Sequence, residues 1–531
     1  MKFVFLFPPS SDPTTMPLSL CRIKGAGKHL IRDINIEVLD ENYGFVRYVI
    51  STFLSSESEP FFKERILKSL AVLKSKDLFL NIKNYAFAYS TILEVFQRFS
   101  KRFEPTFVGY ATQRFKQDIK DTKQVNLLLE SADLNPYLEY FYLRSKYIIE
   151  MQPDLLGISI IYYSQLIPAL TVSKILKDIK KDLLIVLGGP CATRLREKIL
   201  KRFTFIDGIV NGDAEAFFER LKGVSLNKSI LIELIKKPTN YFSHLNYPID
   251  FSWTDPKGYL LPEPVFLLDI TRGCYYKKCV FCSYGHKHAP YRKISIDELL
   301  RIIRENSIKR VFFSVDAVDL GFLEKIAKEI LKKNIEITYC LDARLEKRFK
   351  DKDFVKLLYE SGCRAISFGM ESASQYTLDK MKKGIEAKDF PEILENLFLN
   401  GIHIQLHLIY GFPTEKSTHF KETIEFLKSH REKIVTVGIS EFSLLKGSLM
   451  EKIYQQFGIP KLIPDGELGL EYRYEKRPDP FYPSFEETKR LLFSLFPVVG
   501  RLTGSTTDYL IYASYYRPEQ MKELLKKAIF Q

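Results

Sequence analysis

From residue 265 to residue 442 six short apolar runs alternate with five stretches, each long enough for one amphipathic helix. The apolar runs fall at 265–270, 310–315, 335–340, 364–369, 402–409 and 435–442. Between them, apolar residues return at spacings of three and four over 296–305, 320–332, 354–361, 390–400 and 418–429, the period of a helix with one buried face. Strands that succeed one another through helices pair in parallel, and six such units make most of a barrel. Such a barrel carries its chemistry at the C-terminal ends of its strands, where the βα loops gather.

The first two-fifths of the chain use the same grammar in another form. Strand-like runs at 3–7, 155–161 and 183–187 alternate with helical patterns, including 169–177 and 194–201, as in a doubly wound parallel sheet. A helix-rich insertion over about 51–151 carries no recognisable motif. Pro238, Pro248, Pro256, Pro262 and Pro264 mark an irregular linker over 225–264. The expected fold class is α/β: a Rossmann-like domain at 1–224, the linker at 225–264, a partial (β/α)6 TIM-type barrel at 265–457 and a mixed C-terminal cap at 458–531, with helices expected at 485–496 and 518–530.

Hydrophobic residues at 46% are ample for such cores and exclude a disordered chain. The run at 3–7 is too short for a signal peptide, and 155–172 is interrupted by Gly157, Gln165 and Pro168, so neither a leader nor a membrane span is expected and the cytoplasm is the expected compartment. The formal charge of +14 comes from Lys and Arg spread along presumptive helix surfaces. It reads as a solvated surface rather than a nucleic-acid face.

Arg272-Gly273-Cys274-Tyr275-Tyr276-Lys277-Lys278-Cys279-Val280-Phe281-Cys282 sets three thiols on one tight loop just after the first barrel run. Seven cysteines in a long chain do not suggest a disulfide framework, so metal and catalytic roles move forward. Thiolates suit zinc or iron–sulfur clusters. Zinc needs a fourth ligand, which His286 or His288 would supply, and on these residues alone zinc and a cluster are equally good readings. Three cysteines on a four-iron cluster leave one iron open, which is a catalytic rather than a structural design.

The stretch 265–284 resembles the radical S-adenosylmethionine (SAM) superfamily, with Phe281 as the aromatic before the third cysteine. The resemblance implies a 4Fe-4S cluster on Cys274, Cys279 and Cys282. It also implies that the amino and carboxylate groups of SAM chelate the open iron, and that an electron from the cluster breaks the sulfonium bond to give a 5′-deoxyadenosyl radical. The commonest family spacing leaves three residues between the first two cysteines, whereas four stand here; loops of the type RGCYW-x-K-C-x-F-C resemble it in cobalamin-linked members.

Further positions follow in family order. Asp316 ends the second strand motif, Phe312-Phe313-Ser314-Val315-Asp316, and would face the cofactor. Arg344 follows the third run and would pair with the SAM carboxylate. Glu371 and Ser372 end the fourth and would meet the amino group or ribose, while Gly411 and Pro413 end the fifth, near the adenine; 442–448 resembles the sixth. Singly, a Glu or Arg after a strand is more often a surface or capping residue, so the order carries the resemblance. His403 and His407 lie at even spacing on one strand and face the same side, where satisfied core histidines are the commoner case. Cys340 and Cys363 read as small buried hydrophobes.

Ser159, Gly188, Gly189, Gly212 and Glu215 stand at successive strand ends of the N-terminal sheet, where glycine lets a ligand approach the backbone. With the barrel that follows, this series resembles the cobalamin (B12)-binding domain of cobalamin-dependent radical enzymes. None of the eight histidines stands in Asp-x-His-x-x-Gly, so a bound corrin would lack that ligand. The methylthio-transferring relatives fit poorly, because their second cysteine triad has only Cys21 and Cys191 to match it here. The resemblance implies methylation of an unactivated carbon of a peptide or small molecule, served by a reducing donor such as flavodoxin or ferredoxin. A radical cyclase, epimerase or rearrangement enzyme is the alternative, and a zinc-stabilised nucleic-acid-binding protein the alternative from another class.

Overall fold

Lys2–Phe7 (β1) is buried along nearly its whole length because it is an interior strand of a parallel sheet, paired on both sides. Asn35–Asp40 (β2) flanks it on one side; Leu155–Ser159 (β3), Leu184–Gly188 (β4) and Gly208–Ile209 (β5) extend the sheet on the other, all in parallel. In this computed structural model the described residues are 1–31, 33–55, 59–224, 227–237, 241, 245–283, 290–475 and 481–495. The chain divides into two compact units, Met1–Pro264 with Gly466–Leu470, and Val265–Asp465 with Glu471–Gln531.

In the first unit, strand order β2-β1-β3-β4-β5 puts the reversal of winding between β1 and β3, so a crevice opens beyond Phe7 and Ser159. Phe3, Phe5, Leu20, Ile36, Leu155 and Phe218 form part of its apolar core. The helical insertion starts at Glu41, immediately after β2, and runs to Glu150. The Pro-rich stretch packs across Leu18–Leu30: Arg22 donates to the carbonyl of Tyr247 at 2.8 Å, and a Cβ on Gly25 would lie 2.2 Å from the Pro248 carbonyl.

The second unit is a six-stranded parallel sheet of Phe266–Leu268 (β6), Arg310–Phe313 (β7), Thr338–Arg344 (β8), Cys363–Glu371 (β9), His403–Tyr410 (β10) and Thr436–Glu441 (β11). Neighbours in space are neighbours in sequence, and β6 and β11 are the two edges, as in an open barrel. Side-chain caps start the connecting helices: Ser295 caps Ile296–Glu305 and Asp319 caps Leu320–Lys332, both where the sequence pattern begins, while Asp351 caps Lys352–Glu360, two residues ahead of it. Each then buries one apolar stripe, such as Leu299, Leu300, Ile302 and Ile303.

Two expectations shift. The third barrel strand runs on to Arg344, so that residue ends the strand instead of following it. In the C-terminal segment Phe485–Leu495 is helical, while the helix expected at 518–530 lies outside the described residues. No helix among the described residues is long and apolar enough to cross a membrane.

Candidate active site

The cysteine loop is held at several points along its length. After the short β-bridge at Thr271–Arg272 the chain turns at Gly273, whose φ of 81° suits glycine and whose N–H donates to Asp316 at 2.9 Å. The Val280 N–H donates to the Met381 carbonyl at 3.0 Å, and the Met450 N–H donates to the Val280 carbonyl at 2.9 Å. Val280 itself is buried in an apolar cluster with Met381, Phe412, Phe442 and Met450, against which Phe281 packs. Tyr276 donates to the Lys382 carbonyl at 2.9 Å, and Tyr275 donates to Glu346. Apolar anchoring of Val280 leaves Cys274, Cys279 and Cys282 as partly exposed thiols outside any disulfide.

Arg344, at the end of β8, is buried beside this loop. Its Nη1 lies 3.8 Å from Cys279 Sγ, its Nε donates to Glu346 at 2.8 Å, and its guanidinium sits 3.6 Å above the Tyr276 ring. Burial raises the Cys279 thiol above its ordinary range, while Lys383 and Arg344 pull against that rise. At the end of β9 the register slips between Gly369 and Glu371, and Glu371 adopts a φ of 68°, costly for a side-chain-bearing residue. The slip presents its carboxylate to Lys383, which donates at 2.7 Å.

The structure brings Cys279, Phe281, Arg344 and Glu371 together around Lys383, which also lies 5.8 Å from the Phe281 ring centroid. Asp316 is exposed and holds the cysteine loop through Gly273. Ser372 is buried with its hydroxyl engaged by Thr423 at 3.0 Å and Glu415 at 3.5 Å, away from Glu371's partner. Gly411 turns at a φ of 74°, has open space where a Cβ would be, and donates its N–H to Tyr482 at 3.2 Å; Pro413 follows, partly exposed.

Sequence reasoning missed Lys383 and Glu346; of the polar line of Asp342, Ser367 and His407 it reached only His407, on one face of its strand with His403. A strand-by-strand face assignment of β8 and β9 would have found the other two. His286 and His288 lie outside the described residues. Among the described residues, no three His, Cys, Asp or Glu side chains converge where one metal ion would sit. One zinc ion draws its thiolates to about 2.3 Å from a common point. A four-iron cluster makes no such demand, because each cysteine meets a different iron.

In the first unit, Ser159, Gly188, Gly189, Gly212 and Glu215 all stand at or just beyond the C-terminal edge of the sheet. Gly188 has nothing within 4 Å of a notional Cβ, whereas Gly189, at a φ of 96°, is pressed to 2.5 Å from the Ile160 carbonyl. Gly212 has a φ of 107°, and Glu215 is buried in the first turn of Ala214–Leu221. No histidine occurs between His29 and His244.

Residues 268–427 match the radical SAM superfamily. An uncharacterized methyltransferase of Pyrococcus horikoshii is 29% identical over 307 residues, covering 54% of this chain and 66% of that protein. An anaerobic magnesium-protoporphyrin IX monomethyl ester cyclase of Rubrivivax gelatinosus is 21% identical over 319 residues, covering 53% and 55%. The chain therefore spans between about half and two-thirds of the length of these curated relatives, at 55% and 66%. Among solved structures, the radical SAM methyltransferase TsrM from Kitasatospora setae, with cobalamin and a 4Fe-4S cluster bound, superposes with a TM-score of 0.58 at 13% identity, covering 100% of this chain and 99% of that one. At that identity the likeness is one of fold.

Proposed function

We propose, on the premise that residues 268–427 make this chain a radical SAM enzyme, that it is a cobalamin-dependent methyltransferase acting on an unactivated carbon of a peptide or small molecule. The observation that carries this reading is the pairing in one chain of a parallel sheet with glycine-opened strand ends and a six-stranded open barrel whose first loop bears three thiols outside any disulfide. The radical SAM domain implies SAM and a 4Fe-4S cluster. The donor set fits that cluster: three thiols on one anchored loop, with two buried cations beside Cys279.

Cys274, Cys279 and Cys282 would hold the cluster, leaving one iron free of protein, and the group supplies one-electron reduction of a sulfonium when bound. Around that position the chain's own groups divide the polar ends of SAM. Arg344 and Lys383 offer cations to its carboxylate, and Glu371 offers an acceptor to its amino group or ribose. Phe281, Gly411 and Pro413 give the apolar and backbone surface for the adenine, while Asp316 keeps the loop in position. Ser372 acts through Glu415 and Thr423 to fix the turn after β9.

In the first unit, Ser159, Gly188, Gly189, Gly212 and Glu215 form the edge for the corrin, which would be held without a histidine from that region. A reducing donor of the flavodoxin or ferredoxin type completes the cycle. Titration of the anaerobically purified chain with hydroxocobalamin, followed in the visible spectrum, tests the corrin assignment. Saturation at one corrin per chain supports it, and the absence of saturable binding refutes it. The similarity to a magnesium-protoporphyrin IX monomethyl ester cyclase favours a second reading, a ring-forming radical enzyme without methyl transfer. Product mass separates the two, since only methyl transfer adds one methyl to the substrate.

A further inference from the structure

One layer deeper in the barrel than Arg344 and Glu371, four polar side chains stand level on successive strands. Asp342 of β8 is in register with Ser367 of β9, Ser367 with Gln405 of β10, and Gln405 with Thr436 of β11. Asp342 shares the face of Arg344, two residues on, so the row lies on the lumen side. Ser367, 1% exposed, is in register beside Asp342, where its hydroxyl pulls the carboxyl down, and lies 2.6 Å from Nε2 of His407, two residues along β10 from Gln405. Asp342 and His407 are partly exposed, and the described residues give Nδ1 of His407 no partner. Gln405 is 1% exposed, and among the described residues neither of its amide atoms has a partner. A buried carboxamide in that state holds out one donor and one acceptor to a polar ligand.

We propose that Asp342, Ser367 and His407 form a proton relay that takes an exchangeable N–H or O–H proton from a polar substrate seated against Gln405, a role that rests on reading this lumen as the substrate site of a radical enzyme. The step balances within the chain. The substrate's proton goes to Nδ1 of His407, the Nε2 proton passes to Oγ of Ser367, and the Ser367 hydroxyl proton passes to the Asp342 carboxylate. The substrate ends one proton poorer, Asp342 ends as a carboxylic acid, and no electron moves.

The charged and titratable groups around the relay are Asp316 beyond β7, Arg344 on β8, Glu371 on β9, His403 on β10, and Lys383. Burial, with Asp316 adding to it, raises Asp342 to about 7. Burial holds His407 below the ordinary imidazole range; Glu371 opposes this shift and Lys383 adds to it. Near neutral pH the ring is therefore neutral and the carboxylate end is poised to accept.

The relay predicts a spectroscopic signature that a structural role would not produce. When Asp342 gains a proton the hydrogen bonds reverse: Asp342 donates to Ser367, Ser367 donates to Nε2, and the ring proton moves to Nδ1. Nitrogen-15 histidine NMR of the full-length reconstituted chain, with His407 assigned through His407→Gln, should show a neutral ring changing from the Nε2–H to the Nδ1–H tautomer as pH falls through about 7. Ser367→Ala and Asp342→Asn should each fix the tautomer, and Ser367→Thr should restore the change. A ring that keeps one tautomer in the native chain, or that changes equally in Ser367→Ala, overturns the relay. Iron, sulfide and reductive SAM cleavage are scored on the same sample. Their absence counts against the radical reading, whereas a fixed tautomer in protein that cleaves SAM defeats the relay alone.

Discussion

Lys383 and Glu371 keep only 7% and 13% of their side chains exposed, so their 2.7 Å contact is a buried ion pair. Removing one member of such a pair strands the other charge and costs about 3–5 kcal/mol. Lys383→Met is expected to destabilise the chain by that amount in urea unfolding, and adding Glu371→Gln should recover most of it. If the double variant is no more stable than the single, the pair does not stabilise the fold in this way. Lys383 was hidden in the sequence because it stands in a lysine-rich stretch with Lys380 and Lys382, which are exposed as such stretches usually are. Arg344 and Glu371 were legible, because each closes an apolar run with a charge.

Loops and strand ends carry the next predictions. Gly384 has a φ of 64°, and a Cβ there would come within 2.1 Å of the Tyr276 hydroxyl. Gly384→Ala should therefore displace Tyr276 from its seat under Arg344, cost about 1 kcal/mol or more, and lower iron content per chain. Normal iron loading in that variant would show that the Tyr276 contact does not position the loop. Beyond β10, Glu415 is buried against Tyr482, Thr377 and Ser372, and burial raises its carboxyl from 4.5 to about 7. The folded chain then holds this proton more tightly than the unfolded chain, so its contribution to stability is full below about pH 4.5 and is lost as pH rises through about 7. Between pH 5 and 7.5 the native chain should lose about 2 kcal/mol more than Glu415→Gln does, read as the shift in urea midpoint. Equal losses would contradict a protonated Glu415.

The same elements show where pattern reading works. Helices with side-chain caps and one apolar stripe, such as Ile296–Glu305 and Leu320–Lys332, were legible to the residue. β8 reads short in the sequence because Asp342 and Arg344 break its apolar run, and they do so because they face the barrel lumen. β2 was missed because it is an edge strand, with Glu37 and Asp40 among its six residues and little burial on one face.

Across the whole chain, the order of motifs after the cysteine loop was what the sequence made legible, since each lies at the end of one strand in a regular series. The helical insertion after β2 was not assignable, because its packing joins residues far apart in the chain. Glu41, for example, is buried against Tyr140 and Arg144. The polar row of the barrel is likewise assembled from separate strands, Asp342 on β8 and His407 on β10, which only the fold brings together. The central claim is that Cys274, Cys279 and Cys282 hold a 4Fe-4S cluster. Iron, acid-labile sulfide and zinc measured together on the anaerobically reconstituted chain, and on the variant with all three cysteines replaced by alanine, test it directly. The expected result is about four irons and four sulfides per native chain and none in the variant; zinc without iron or sulfide, or cluster loading that survives the triple replacement, would contradict it.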